Sequence, residues 1–202
     1  MGRETSLDAK LVSIIGPPAV GKTTLAEILA AELPAQIIYE DYAGNPFLAD
    51  SYLGKAEAKL PAQLYCLMSR AGQLSALSWP REGVRVSDYG FCQDRIYATM
   101  QLAESEMKLY DRLARRLEKL LKQPDLAIHL DAGEDALLER IARRGRDFEK
   151  TFTREFLASM RRAYNEVEKL LPCGTVRVNC DEVDFRSRSA LASLVADVRG
   201  QL

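Results

Sequence analysis

The 202-residue chain reads as an α/β protein, with five parallel strands in one sheet and helices on both faces. Three observations predict this. Five short apolar runs, at 11–15, 36–39, 84–87, 126–130 and 175–180, alternate with longer segments of helical spacing, and such alternation is built as a parallel sheet. The first run, Leu11-Val12-Ser13-Ile14-Ile15, leads into Gly16-Pro17-Pro18-Ala19-Val20-Gly21-Lys22-Thr23 and then into a helical pattern with Leu25, Ile28, Leu29 and Leu33. A basic segment holding Arg140, Arg143, Arg144 and Arg146 follows the fourth run.

The glycine-rich stretch has the context a phosphate loop requires. Gly16 and Gly21 let the backbone curl so that successive N–H groups point inward, and those donors with the positive end of the next helix hold phosphate oxygens. Pro17, Ala19, Val20 and Thr24 complete the cradle. Lys22 reaches the β- and γ-phosphates, and Thr23 offers its hydroxyl to Mg²⁺. ATP and Mg²⁺ are the expected cofactors. In an open parallel sheet the ligand lies beyond the carboxyl ends of the strands, so the residues after each run matter most.

Composition narrows the classes. Lys+Arg 28 against Asp+Glu 29 gives a net charge of −1, which leaves no overall field for nucleic acid or a membrane surface. The length fits one domain over 1–202, with a lid at about 140–152. Cys66, Cys92, Cys173 and Cys180 are far apart and form no metal or redox motif, which fits reduced thiols in a cytoplasmic protein. No secretory leader or membrane span is expected. Met1-Gly2 followed by Ser6 fits only the loose myristoylation pattern, and a plain soluble N-terminus is expected.

Taken in order, the second strand is followed by the polar, turn-rich Glu40-Asp41-Tyr42-Ala43-Gly44-Asn45-Pro46-Phe47, which brings acids near the loop. Helical stretches at roughly 60–79 and 94–122 separate the next strands. Leu102, Leu109, Leu113, Leu117 and Leu120 form a stripe on the second, read as core. Helices this long could also pair in a homodimer. The third strand ends in Asp88-Tyr89-Gly90. Asp131, after the fourth strand, is expected to cap the helix that carries Leu137, Leu138 and Ile141. A helix over about 153–171, with Phe156, Leu157, Met160, Tyr164, Val167, Leu170 and Leu171 on its core face, ends at Pro172. Asn179-Cys180-Asp181 ends the last strand, where Asp181 could flank an adenine ring. His129, inside a strand, reads as a satisfied core residue.

A phosphate loop alone does not separate an ATPase, a GTPase and a small-molecule kinase. No NKxD-type guanine-reading motif follows a late strand, and the chain is small for a motor or transporter ATPase. A kinase of a neutral hydroxyl needs a carboxylate to accept or orient the proton, arginines to meet the charge on the transferring group, and an acceptor pocket. Asp88, the lid arginines Arg140, Arg144 and Arg146, and the 40–73 region supply these.

From the phosphate loop to the last strand, the chain resembles the deoxycytidine, deoxyguanosine and deoxyadenosine kinases of the deoxynucleoside kinase family. Glu40 resembles that family's acid after the second strand. Tyr52 precedes Gln63 as the family's sugar-binding tyrosine precedes its base-binding glutamine. Arg70 and Asp94 stand at the spacings of its base-contacting pair, and Arg140, Arg144, Arg146 and Glu149 follow its lid pattern, in which the glutamate binds the sugar 3′-hydroxyl. The resemblance implies a P-loop kinase fold with an arginine lid. It also implies in-line transfer of the γ-phosphoryl of ATP·Mg²⁺ to the 5′-hydroxyl of a deoxynucleoside, with Asp88 as base or hydroxyl-orienting group and Glu40 near the metal and the hydroxyl. Thymine-preferring members typically lack the Arg70–Asp94 pair, so deoxyadenosine, deoxyguanosine or deoxycytidine is expected, purines slightly ahead. One departure stands out: arginine and serine usually follow the acid of the third strand, where this chain has Tyr89-Gly90. Arg85, Arg95 or Arg143 could compensate, or the acceptor differs. The competing readings are a kinase of another small acceptor, such as a nucleoside monophosphate, and a catalytically silent nucleotide-binding subunit.

Overall fold

A computed structural model describes residues 9–183, 185 and 187–202, so the Met1-Gly2…Ser6 pattern lies outside the described residues. The five expected strands are β1 Lys10–Ile15, β2 Gln36–Ile38, β3 Val84–Ser87, β4 Leu126–Asp131 and β5 Gly174–Asn179. They pair in parallel throughout, in the order β2-β3-β1-β4-β5. Leu11, Val12, Ile14 and Ile15 of β1 are essentially inaccessible, as a central strand covered on both faces must be. The helices are α1 Lys22–Glu32, α2 Leu48–Tyr52, α3 Ala56–Gln73, α4 Gln93–Gln101, α5 Glu104–Glu118, α6 Glu134–Arg144, α7 Arg154–Glu168 and α8 Arg188–Gln201. Val12, Ile14, Leu126 and Ile128 pack with Leu25, Leu29, Leu137, Leu194 and Val198 in the largest core cluster. None of these helices is long and apolar enough to cross a membrane among the described residues.

The connectivity places the site. Beside β1, the chain runs to β3 on one side and β4 on the other, so loops leaving β1 and β3 diverge across one crevice at their carboxyl ends.

Several expectations change. The helix expected over 60–79 is α3, which begins at Ala56 and ends at Gln73, followed by a 3₁₀ turn at Ala76–Ser78. The stretch 94–122 is two helices. Leu102 and Ala103 are extended at ψ 143° and 161°, and the Ala103 N–H donates to Glu106 Oε2 at 2.9 Å, which starts α5 afresh. The leucine stripe is split as a result. Leu102 and Leu117 pack against the buried Leu67, Ala98 and Tyr110, whereas Leu109, Leu113 and Leu120 are 45%, 41% and 54% exposed. Helix α7 stops at Glu168, before Pro172, and leaves Leu170 outside it and 82% exposed rather than in the core.

Asp131 is not the cap of α6. Gly133 occupies that position, and the Asp131 carboxylate instead accepts two bonds from Arg161, at 2.7 and 2.8 Å. Asp181 supplies part of the missing cap, with Oδ2 accepting from the Gly133 N–H at 2.7 Å. His129 is buried as expected, and its Nδ1 is bonded to Glu168, but its Nε2 has no hydrogen-bond partner among the described residues.

Candidate active site

At the carboxyl end of β1 the chain turns through conformations that need small residues. Gly16 has φ 143°, and a Cβ there would stand 2.2 Å from the Leu130 carbonyl oxygen of β4. Ala19 has φ 61°, and Gly21, at φ 112°, is the N-cap of α1. The loop and the first turn of α1 form one wall of a cavity of about 680 Å³. Pro18, Ala19, Val20, Gly21, Lys22, Thr23 and Thr24 line that wall, while Gly16 and Pro17 lie beneath it. Their carbonyls accept from Lys22 Nζ at 2.8 and 3.0 Å.

The lysine carries an electrostatic demand. Desolvation by burial pushes its pKa down to about 8, against the upward pull of Glu40 and Asp88, while Arg144 and Arg70 add to the depression. A half-buried ammonium at the N-terminal end of α1 suits an anion, which fits the cradle to a nucleotide's phosphates. Thr23 Oγ1 donates to Asp88 Oδ2 at 2.6 Å, and Asp88 Oδ1 accepts from the Glu40 N–H at 2.7 Å. The ends of β3 and β2 are thereby tied to the phosphate loop through one carboxylate. A cation at this point would find the Thr23 hydroxyl with the carboxylates of Asp88 and Glu40, an all-oxygen set that suits Mg²⁺ completed by phosphates and water. Among the described residues no group of three or more His, Cys, Asp or Glu could hold a metal unaided.

The opposite wall comes from α2, α3 and α4. Gln63, Cys66 and Arg70 follow one another at helical spacing along α3 and line the cavity with Glu40, Tyr52 and Tyr97. Arg70 is 4% exposed and bridges Glu40 and Asp94, with the buried Tyr89 ring 5.4 Å from its guanidinium. Asp94 stands behind Arg70 rather than in the cavity wall. Burial pushes its pKa up to about 6, against the opposing pull of Arg70. Burial likewise raises the Tyr52 phenol well above its usual value and the Cys66 thiol to about 11, so both are neutral near pH 7.

The segment expected as a lid lines the third side, and its arginines differ. Arg140 is an anchor, donating to the carbonyls of Val20 at 3.2 Å and Cys180 at 2.9 Å. Arg144 forks onto Glu149, with Nε at 2.9 Å from Oε2. Arg146 lies 3.5 Å from the same carboxylate and 3.8 Å over the Tyr42 ring. Glu149 is 4% exposed, on a 3₁₀ turn at Asp147–Thr151 that places Phe148 in a stack with Tyr52, centroids 5.6 Å apart. Asp181 lines the cavity beside Val183 and Phe185. All the residues expected to bind or react are therefore gathered around one cavity or directly behind its wall.

Two features were not foreseen. Gln93 donates to Glu40 Oε1 at 3.1 Å and accepts from the Tyr164 hydroxyl at 3.3 Å, so it orients the carboxylate from behind. Tyr97 and the lid's Phe148 and Phe152 supply apolar lining. Gln93, Tyr97 and Gln101 sit four residues apart on α4, a stripe that could have been read from spacing. Of the three arginines considered as substitutes for the missing one, Arg143 lines the cavity. Arg85 lies over the Trp79 ring at 5.5 Å, and Arg95 pairs with Asp111 at 3.3 Å. Tyr89 is fully buried, its hydroxyl donating to Gln73 at 2.6 Å, and a Cβ on Gly90 would meet Ile15 Cγ2 at 2.6 Å. Packing therefore accounts for both residues of the departure.

A phosphate loop on the central strand, a carboxylate on the neighbouring strand bonded to its threonine, and arginines across the opening define a kinase of the phosphate-loop class. The deoxynucleoside kinase family profile matches residues 12–199. Deoxyadenosine kinase of Dictyostelium discoideum is 31% identical over 202 residues, covering 96% of this chain and 80% of that one. Deoxyguanosine kinase of Bacillus subtilis is 30% identical over 166 residues, covering 81% and 80%. A solved structure of deoxyadenosine kinase from M. mycoides with bound dCTP shares the fold, with a TM-score of 0.79 at 20% identity over 94% of this chain and 99% of that one. The chain belongs to the deoxynucleoside kinase family, and its reaction class is ATP-dependent phosphorylation of a deoxynucleoside.

Proposed function

We propose that this protein transfers the γ-phosphoryl group of ATP·Mg²⁺ in line to the 5′-hydroxyl of deoxyadenosine, deoxyguanosine or deoxycytidine, with purines preferred. The observation that carries the reading is the Thr23–Asp88–Glu40 linkage, which joins the phosphate cradle to the acceptor wall in one cavity.

The roles follow from what each group has left to offer. Both oxygens of Asp88 already accept hydrogen bonds, and the residue is 6% exposed. Its work is to hold Thr23 and the end of β2, and with Thr23 to bind Mg²⁺, whose charge offsets that of the phosphates. The Glu40 side chain is 28% exposed to the cavity and is aimed by Arg70 and Gln93 through one oxygen, Oε1. The other oxygen is the better placed to take the 5′-hydroxyl proton. The base or orienting role expected at Asp88 is thus divided, with Glu40 nearer the hydroxyl. Lys22, Arg144 and Arg146 meet the charge that spreads over the transferring oxygens. Glu149 and Tyr52 face the sugar, Gln63 the base, and Asp181 the nucleotide's far end.

Replacing Glu40 with Gln should lower kcat about 10²-fold or more with little change in nucleoside affinity. Replacing Asp88 with Asn should lower kcat and raise the KM for ATP·Mg²⁺. An Asp88→Asn protein with full turnover would remove that residue from the reaction. The exposed Leu109 and Leu113 on α5 also favour a homodimer through its outer face, and the four free cysteines suit a cytoplasmic protein. Light scattering that gives only monomer at micromolar concentration would dismiss the dimer.

A further inference from the structure

Gln63 and Gln101 meet across the α3–α4 contact, with Gln63 Nε2 donating to Gln101 Oε1 at 3.1 Å. Gln63 is 4% exposed and lines the acceptor end of the cavity. Gln101, the last residue of α4, stands behind it and outside the cavity wall. Among the described residues neither side-chain amide makes a second hydrogen bond.

A primary amide has an acceptor end and a donor end of nearly equal shape. When two amides are bonded only to each other, turning both by half a turn exchanges donor and acceptor and keeps the bond. The neighbouring polar groups lack that freedom. Arg70 is gripped by Glu40 and Asp94, and the Gln93 amide is fixed at both ends by Glu40 and Tyr164.

We propose that Gln101 is a positioning residue that lets Gln63 present either its carbonyl or its NH₂ end to the nucleobase. In one arrangement Gln63 Oε1 accepts from the exocyclic amine of adenine or cytosine. In the other its NH₂ donates to the exocyclic carbonyl of guanine. The Gln63–Gln101 bond is made in both, so neither arrangement leaves a buried amide unpaired, which is the penalty that would otherwise enforce one class of base. The site therefore takes amino- and keto-bearing purines with similar efficiency. This rests on the reading of Gln63 as the base-facing residue.

Two substitutions fix the pair in opposite senses. In Gln101→Glu the carboxylate only accepts, so Gln63 must donate to it and turn Oε1 to the base. In Gln101→Lys the ammonium only donates, so Gln63 must turn its NH₂ to the base. The ratio of kcat/KM for deoxyadenosine to that for deoxyguanosine should rise about tenfold in the first and fall about tenfold in the second. Loss of packing alone lowers both nucleosides together and moves the ratio in neither direction. The KM for ATP, bound at the other end of the cavity, should stay within about twofold and reports that the fold is intact. Gln63→Leu serves as the reference and should weaken both nucleosides. A Gln63→Leu protein with unchanged nucleoside KM would overturn the base-facing reading. If that variant weakens the nucleosides, but the two Gln101 variants shift the ratio in the same direction or leave it alone, only the paired-amide proposal is overturned.

Discussion

Replacing Arg70 with Leu removes the cation from between two carboxylates, and the structure sets the scale of the loss. The Arg70 and Asp94 side chains are 5% and 2% exposed, and Glu40 is 28% exposed. Truncating one partner of a buried, hydrogen-bonded ion pair costs about 3–5 kcal/mol, because the remaining charge stays desolvated. Asp94 has a partial escape. Its pKa is already pushed up to about 6 by burial, and without Arg70 it rises further, so the acid can take up a proton. The loss should therefore be smaller at pH 6 than at pH 8: the native variant binds a proton that its unfolded chain has released, and its stability falls as pH rises toward the new pKa. Urea unfolding of the wild type, Arg70→Leu, Asp94→Asn and the double variant measures this directly. The double variant should be more stable than Arg70→Leu alone, with a coupling of at least about 1.5 kcal/mol. Additive single effects, or an Arg70→Leu loss independent of pH, would refute the reasoning.

Other outcomes follow from the same geometry. Thr23→Val removes the donor to Asp88 and the hydroxyl proposed to bind Mg²⁺, so kcat should fall about 10²-fold while nucleoside binding is kept. Arg144→Ala and Arg146→Ala should lower kcat more than they raise either KM, and a pure rise in KM would show a ground-state role. With its pKa at about 8, Lys22 loses its proton as pH rises past that value, whereas phosphate favours the charged form. ATP affinity should therefore weaken above pH 8, and calorimetry in buffers of different ionisation enthalpy should register proton uptake on binding there. Gly90→Ser, which restores the family's usual residue, places a Cβ 2.6 Å from Ile15 Cγ2 and should destabilise the protein by about 1–3 kcal/mol in thermal unfolding.

The legible parts of this chain were those governed by local rules. Strand spacing gave all five strands, and the spacing of Gly16, Gly21, Lys22 and Thr23 gave the cradle, because a phosphate loop needs those residue types in one local turn. The errors arose where distant partners decide. Asp131 looked like a helix cap from its neighbours, but Arg161, thirty residues on, claims its carboxylate. The break at Leu102–Ala103 hides inside an unbroken run of helix formers, since Glu106 starts α5 with one side-chain bond that any exposed glutamate could have made elsewhere. Leu109 and Leu113 fit a core stripe by period alone, and only the position of α5 against α3 and α4 leaves them on the outside. In the site, Asp88 could be picked out from its place after the third strand as a carboxylate beside the phosphate loop. That both its oxygens are engaged depends on the β2–β3 pairing and could not be read from the order of residues.

The central claim is a direction of transfer, from the phosphate cradle to a nucleoside hydroxyl on the wall formed by Glu40, Gln63 and Arg70. Its most direct test is a panel of the four deoxynucleosides and their ribo forms with ATP and Mg²⁺, followed by ADP release and by phosphorus NMR of the product. Deoxyadenosine and deoxyguanosine should turn over fastest, deoxycytidine measurably and thymidine least, each giving the 5′-monophosphate. ATP bound with no turnover on any nucleoside, or efficient phosphorylation of a nucleoside monophosphate in their place, would contradict the account.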